Sequence, residues 1–579
     1  MADATALPAK PAHTQGEPPH SGASAVYHNV HPWERLKWLL RMESRELWVA
    51  AIYSAVIGLL TLVLPVATQT LVNTIAFGAV IQPLVVLTAL VFIALLFGSI
   101  LNGYRLWVVE LIQRRIFVRI SGDVTHRLVR VQPEAFDQHH GPELVNRFLE
   151  VVSVQKAAAT LLVDGLTVVF SATVGMILLA IYHPWLLAFD VFLLILFHII
   201  LFPLGIGAIP TAVKESKAKY ALVAWMEEIA RHQIAFKTKS GSDLAASRSN
   251  ELVLDYLGYR AKHFRILLRQ ILSSFVLQAL ASAVLLGVGG WLVIERQLTL
   301  GQLVAAELVV ALVLASFTKF GKHLEAFYDL MASVDKLGYL ADLPVERTDG
   351  EKVPASAGGA KVRMQVHRAG HIGVRSVLSG LEWEIPAGAK YGLMGRAGSG
   401  KSFLFDTLYL FRAPEDGWIE FDGKDTRDLS LDDLRQQIGL VRKPEIFDGT
   451  IIENLRLGRY SLDTAEAREA LAKAGVLEEI QALPDGLNTK LQTGGPPLSS
   501  SQAIRLEIAR ALANRPRMLL LDECLDFLED VPGRGELFDR LLGPDAPWTA
   551  VVATQSEEIL SRCDKVFRLE SGKVQEVAR

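Results

Sequence analysis

The chain has 579 residues, of which 51 % are apolar and 21 % charged, with a formal net charge of −3. That length excludes a single core and predicts about two to four domains, while the apolar excess excludes a purely soluble enzyme and predicts a membrane portion. The small net charge carries no argument for a nucleic-acid partner, and none is expected. The two cysteines, Cys524 and Cys563, exclude a disulfide framework and suit a reducing compartment for the C-terminal third.

Residues 1–30 read as a disordered tail rich in Pro, Gly, Ser and Ala. They hold no basic segment leading into an apolar core, so no secretory signal is expected. Residues 31–340 read as a membrane domain. It begins with Trp33–Arg41, whose aromatic and leucine positions share one helical face and whose basic residues take the other. That pattern suits a helix lying in the membrane interface, with an ordinary surface helix as the alternative.

Six long apolar runs follow, at 48–77, 80–112, 157–182, 184–210, 270–294 and 299–320. Each can cross a bilayer core of ~30 Å at ~1.5 Å per residue. Short connections join them in pairs, around Gly78, His183-Pro184 and Glu295-Arg296-Gln297. The long connections carry Arg114, Arg115, Arg119, Arg127 and Arg130, then Lys214, Lys217, Lys219, Arg231, Lys237, Lys239, Arg260, Lys262, Arg265 and Arg269. The positive-inside rule therefore expects the long connections and both termini in the cytoplasm, for a multi-pass protein of the cytoplasmic (inner) membrane. These connections read as helical extensions with a reversal at the far end, one of them Phe136–Arg147. His139 and His140 stand in that reversal without other metal ligands at suitable spacing, so a solvated turn is expected there.

Residues 341–360 form a Pro/Gly/Ser linker, and 361–579 read as a soluble α/β domain of short β-rich runs and amphipathic helices. Within it, Gly395-Arg396-Ala397-Gly398-Ser399-Gly400-Lys401-Ser402 fits G-x-x-x-x-G-K-[ST], the phosphate-binding loop. Lys390–Met394 reads as a buried strand before it and Phe403–Leu408 as a helix after it. The glycines let backbone N–H groups meet phosphate oxygens, and the helix N-terminus adds partial positive charge. Lys401 is expected to reach the β- and γ-phosphates of ATP and Ser402 to ligate Mg²⁺. Taken alone, a chance glycine-rich turn is the alternative reading of the loop. Further on, Met518–Glu523 reads as a central strand ending in two acids. Asp522 would hold Mg²⁺ through water, and Glu523 would orient or deprotonate the attacking water. The other reading is a buried strand followed by an acidic turn. Leu498-Ser499-Ser500-Ser501-Gln502 precedes the helical run Ile504–Leu512, with serines able to cap a helix and donate to phosphate oxygens.

The order of phosphate loop, L-S-x-x-Q, I-A-R-A-L and L-L-L-D-E resembles the nucleotide-binding domain of an ABC transporter. The preceding six-run half resembles the membrane domain of an ABC exporter, and Phe136–Arg147 is similar to its coupling segment. The resemblance covers 33–579. Gly301-Gln302-Leu303-Val304-Ala305 looks most like bacterial peptide and protein exporters of the haemolysin type, although the N-terminal peptidase-like domain usual in that branch is not expected here. The implied fold is an all-α six-helix exporter domain followed by an α/β P-loop domain. The implied protein is a half-transporter that dimerises, with each ATP between one chain's Gly395–Ser402 loop and the other chain's Ser499, Ser500, Ser501 and Gln502.

Several positions depart from the family pattern. Serines replace both glycines of the signature, so Cβ atoms intrude on the γ-phosphate. Arg442 and Lys443 occupy the Q-loop region, Gln555 stands at the switch-histidine position, and the D-loop reads Asp526-Phe527-Leu528-Glu529. No aromatic residue lies between Val362 and Ala369 to stack on adenine, and His367 is a weak substitute. With Glu523 and Gln555 as the catalytic pair, ATP and Mg²⁺ binding with slow hydrolysis is expected. The partner is a second copy or a different half-transporter. The cargo is a peptide, protein, lipid or hydrophobic small molecule, and a non-pumping ATP-binding regulator or sensor is the rival. Asp190 and Glu307 are expected to face the bundle interior or each other, as a patch for a cationic part of the substrate or as a hydrogen-bonded pair. Asp164, and Arg105 with Glu110, read as helix–helix pairs.

Overall fold

The computed structural model describes residues 32–76, 81–137, 141–318, 320–354, 356–370 and 377–577. The expected tail and the His139-His140 turn lie outside the described residues. The chain divides into two units: Met1–Arg130 with His139–Leu343, and Val131–Gln138 with Pro344–Arg579.

The first unit is helical. Its elements are α1 (Pro32–Met42), α2 (Ser44–Leu60), α3 (Val63–Ala76), α4 (Ile81–Arg130), α5 (Glu150–Thr160), α6 (Leu166–Tyr182), α7 (Pro184–Leu201), α8 (Ala208–Arg231), α9 (Lys239–Ile294), α10 (Leu300–Thr318) and α11 (Phe320–Ala341). The first expected run is split between α2 and α3. Pro65 explains the break, because its ring clashes with the carbonyl four residues back, at Thr61. Among the described residues, five helical stretches are long and apolar enough to cross a membrane: Ser44–Thr74, Ile81–Arg130, Leu144–Tyr182, Pro184–Leu201 and Lys239–Ile294. The sixth expected run falls on α10, whose apolar stretch Leu300–Val313 is shorter. The long connections are continuous helix, as in α4 and α9, and a second reversal lies between α8 and α9. Helix α1 docks by one face on α11: Arg35 pairs with Asp342 and donates to the Asp335 carbonyl at 3.2 Å, and Trp33 meets Phe327 edge-on.

Leu186, Phe189 and Leu193 of α7 pack with Leu277, Ala281 and Leu285 of α9 and Val309 of α10 into an apolar core. Asp190 is buried on the same helix, and neither of its carboxylate oxygens has a hydrogen-bond partner. Glu307 is exposed and lines a cavity of about 110 Å³ with Ser282, Leu285 and Leu303. No bond joins the two acids among the described residues. Arg105 bonds across to Ser54 of α2 at 3.3 Å and to Thr167 of α6, and along its own helix to Asn102 at 2.6 Å, while Glu110 pairs with Arg114 of the same helix.

Two sheets build the second unit. Strands β1 (Val362–Ala369), β2 (Leu378–Ile385), β3 (Lys390–Met394), β4 (Asp416–Phe421), β5 (Lys424–Asp425), β6 (Ile438–Val441), β7 (Gly449–Thr450), β8 (Lys490–Leu491), β9 (Met518–Asp522), β10 (Thr549–Ala553), β11 (Lys565–Glu570) and β12 (Lys573–Val577) are joined by helices. These include α12 (Lys401–Leu408) and α13 (Ser500–Ala513). One sheet has the order β2-β1-β4-β5 and is antiparallel. The other has the order β12-β11-β3-β10-β9-β6, parallel from β11 to β6. Side chains alternate across a strand, so Met518 and Leu520 enter a core shared with β1, β2 and α12. Leu519 and Leu521 enter another shared with α13. Burial on both faces accounts for the unbroken apolar reading of β9.

Candidate functional site

Four parallel strands end side by side. Across the ladders, Leu393 of β3 and Asp522 of β9 both stand opposite Ala553 of β10, and Val441 of β6 stands opposite Leu521. The residues that follow each strand therefore meet at the carboxyl edge of the sheet, where open α/β sheets bind ligands. These are the Gly395–Ser402 loop, Arg442, Glu523 and the Thr554-Gln555 pair.

The loop turns straight from β3 into α12. Gly400 caps the helix in a left-handed conformation with φ 100°, and a Cβ there would stand 2.7 Å from Val377 Cγ1, so only glycine fits. Gly398 is also left-handed, and Ser399 N–H donates to the Arg396 carbonyl at 3.1 Å. Ala397 lies in the turn between them. Buried Lys401 folds back on the loop: its ammonium donates to the carbonyls of Gly395 at 2.8 Å and Arg396 at 3.2 Å, and lies 3.1 Å from Glu523 Oε1. Ser402 donates to Asp522. Burial pushes the Asp522 carboxyl up from its ordinary value, while the Ser402 bond and the Arg442 charge work the other way.

Glu523 has φ 55°, a left-handed conformation uncommon for a residue with a side chain, and its N–H donates to the Ala553 carbonyl at 3.0 Å. The chain thus leaves β9 sharply while still tied to β10, the sort of backbone strain that gathers at functional sites. Gln555 is exposed at the end of β10. Its backbone N–H and the Thr554 hydroxyl both bond to Asp526.

Ser499 caps α13 in a reciprocal box. Its hydroxyl accepts from Gln502 N–H at 3.3 Å, and the Gln502 side chain accepts from Ser499 N–H at 2.8 Å. Ser499 and Ser501 hydroxyls are 3.2 Å apart, Gln502 donates to Glu479 at 2.8 Å, and Ser500 is exposed. Among the described residues, no hydrogen bond or ion pair links these four to the phosphate loop. The structure thus gathers Lys401, Ser402, Asp522, Glu523 and Gln555 at one edge, while the side chains of Ser499 and Gln502 are engaged with one another and with Glu479.

A hydroxyl and a carboxylate are hard oxygen ligands, and buried Asp522 Oδ1 has no hydrogen-bond partner, so Ser402 and Asp522 fit Mg²⁺. The sequence reading noted Arg442 only as a departure from the family pattern and missed its place beside them. Arg442 donates to Asp406 at 2.7 Å and lies 3.9 Å from Asp522. Asp406 follows Ser402 by one helical turn and so shares its face, which is the one signal that could have flagged it. Also unforeseen is a paired contact inside this unit, between Arg412 and Asp137 at 2.7 and 3.0 Å.

Residues 378–526 match the family described as ABC transporter, and 47–227 match the ABC transporter transmembrane region. Over 490 residues the chain is 28 % identical to the alpha-hemolysin translocation ATP-binding protein HlyB of Escherichia coli O157:H7, covering 82 % of this chain and 68 % of that one. It is 26 % identical over 481 residues to an ATP-dependent lipid A-core flippase of Francisella tularensis subsp. tularensis, covering 80 % and 77 %. The fold is similar to a solved bacterial Atm1-family ABC exporter with ATP bound, at a TM-score of 0.79 and 21 % identity, covering 92 % and 94 %. With a helical transmembrane region leading into an α/β nucleotide-binding domain, the chain belongs to the ABC transporter family as a half-transporter.

Proposed function

We propose that the chain is one half of a dimeric ATP-driven exporter of the cytoplasmic membrane, with ATP bound at the interface of two chains and hydrolysed slowly. The observation that carries this reading is the meeting of Lys401, Ser402, Asp522 and Glu523 at one sheet edge, in a chain whose other unit holds long apolar helices. The phosphate loop and Lys401 grip the triphosphate. The Ser499–Gln502 segment, with Ser499 and Ser500 exposed, is offered to the loop of a second chain, identical or different. Magnesium, when held by Ser402 and Asp522, would neutralise charge on the phosphates. Glu523 orients or deprotonates water, and Gln555 holds the γ-phosphate by a hydrogen bond without the positive charge of an imidazolium. The Cβ atoms of Ser500 and Ser501 hold the partner backbone away from phosphate and keep turnover low. Both termini and the nucleotide domain face the cytoplasm, and closure of the dimer shifts the membrane helices between inward- and outward-facing states.

The relatives' names, a hemolysin translocator and a lipid A-core flippase, support a peptide, protein or lipid cargo, with a hydrophobic small molecule next. The hydroxylated signature and exposed Gln555 favour a second reading, a regulator that binds ATP and does not pump. In proteoliposomes, Glu523→Gln is expected to lower ATP turnover by at least about 100-fold. Brisk turnover by the wild-type chain that survives this change overturns the assignment. Transport into vesicles that requires hydrolysable ATP separates exporter from regulator.

A further inference from the structure

Arg442 is the first residue after β6. Because β6 runs parallel to β9 with Val441 opposite Leu521, Arg442 stands beside Asp522. Its Nη2 donates to Asp406 Oδ1 at 2.7 Å, and its Nε lies 3.9 Å from Asp522 Oδ2. Two acids from different elements, one on the helix of Ser402 and one at the end of β9, thus hold one guanidinium against the expected metal ligands. The arrangement is not saturated: Arg442 Nε and Asp522 Oδ1 are both buried without a hydrogen-bond partner. A guanidinium that served only to clamp Asp406 to the sheet would be expected to meet its remaining donors as well. Asp406 also has a second cation nearby, Arg412 at 3.9 Å, so its charge does not depend on Arg442 alone. An arginine stays charged at all working pH values and presents a planar set of donors that matches phosphate oxygens.

We propose that Arg442 is a nucleotide-binding residue of this chain: its guanidinium takes an oxygen of the bound triphosphate and supplies part of the positive charge that Mg²⁺ otherwise brings, so that ATP is held without a divalent cation. The proposal rests on the reading of the Gly395–Ser402 loop as the ATP site. Magnesium and the guanidinium then compete for the side of Asp522, and adding the metal changes affinity little.

The test uses the full chain in detergent and trinitrophenyl-ATP fluorescence, titrated once with Mg²⁺ and once with EDTA. The wild-type dissociation constant is expected to rise by less than about fivefold when the metal is removed. For Arg442→Gln the ratio of the two constants is expected to be at least about tenfold larger than for wild type, and Arg442→Lys, which keeps a charge but not the planar fork, should fall between them. Wild-type binding that is tight with Mg²⁺ and lost in EDTA overturns the role of Arg442 and leaves the ATP site standing. This arm needs no variant to fold. Absence of wild-type binding in both media overturns the ATP site and the proposal together.

Discussion

Glu150 in the membrane unit and Asp522 in the nucleotide unit are both buried carboxylates, and they are used in opposite ways. Glu150 accepts from Lys219 at 3.0 Å, Tyr220 at 2.8 Å and Ser333 at 2.6 Å, and so ties α5 to α8 and α11. Asp522 accepts from Ser402, stands 3.9 Å from Arg442 and keeps one oxygen with no partner. A scaffold charge is saturated by its neighbours, because any unmet oxygen in a buried place costs stability. A site charge is left with spare capacity, which a ligand can use. Asp190, buried among apolar side chains with both oxygens unmet, has the burial of the first and the vacancy of the second without polar company.

The contrast can be broken at its saturated end. Glu150→Ala removes the shared acceptor of Ser333, Tyr220 and the half-exposed Lys219, and is expected to cost about 1–3 kcal/mol through the hydrogen bonds left unmet. The melting midpoint of the full chain in detergent measures it, and an unchanged midpoint would show that the three bonds to Glu150 hold nothing together. The site end is tested by Gln555→His, which on the proposed function puts a group able to carry charge beside the γ-phosphate. Turnover is expected to rise about tenfold, equivalent to roughly 1.4 kcal/mol, and no rise would mean that the exposed Gln555 is not the limiting departure.

A buried cation sharpens the same contrast with a smaller effect. Lys336 is 2 % exposed, beneath the rings of Tyr339 at 5.3 Å and Tyr220 at 5.9 Å, and burial lowers its pKa from 10.5 to about 8, against the pull of Asp335. Between these values the unfolded chain binds more protons than the folded one, so stability rises with pH. The gain from pH 8 to 9 is expected to be about 1 kcal/mol in the wild type and absent in Lys336→Met. Parallel pH profiles of the two melting midpoints would remove Lys336 from the set of strained charges.

Much of the fold was legible because its signals are local. The apolar runs showed the helices, the glycine spacing of 395–402 showed a strand–loop–helix turn, and the order of motifs pointed to the family. The site was legible only in part. Arg442 was visible as a departure from the family pattern, but nothing in its neighbourhood along the chain announced Asp406 or Asp522. Arg105 reads as a residue that pairs helix to helix, but nothing along the chain announced that its partners across the bundle would be Ser54 and Thr167. Asp190 and Glu307 looked equivalent as acids in apolar runs, yet one is sealed in a core and the other is exposed beside a small cavity.

By itself the sequence determined the two-part architecture, the glycine-rich turn from β3 into α12 and the acidic end of β9, since each is written in contiguous residues whose backbone needs or periodicity are set within a few turns. Tertiary structure alone decided which buried charges are saturated and which are left open. That outcome depends on strand register and helix packing, which bring together side chains as distant along the chain as Glu150 and Ser333, and no local pattern encodes it.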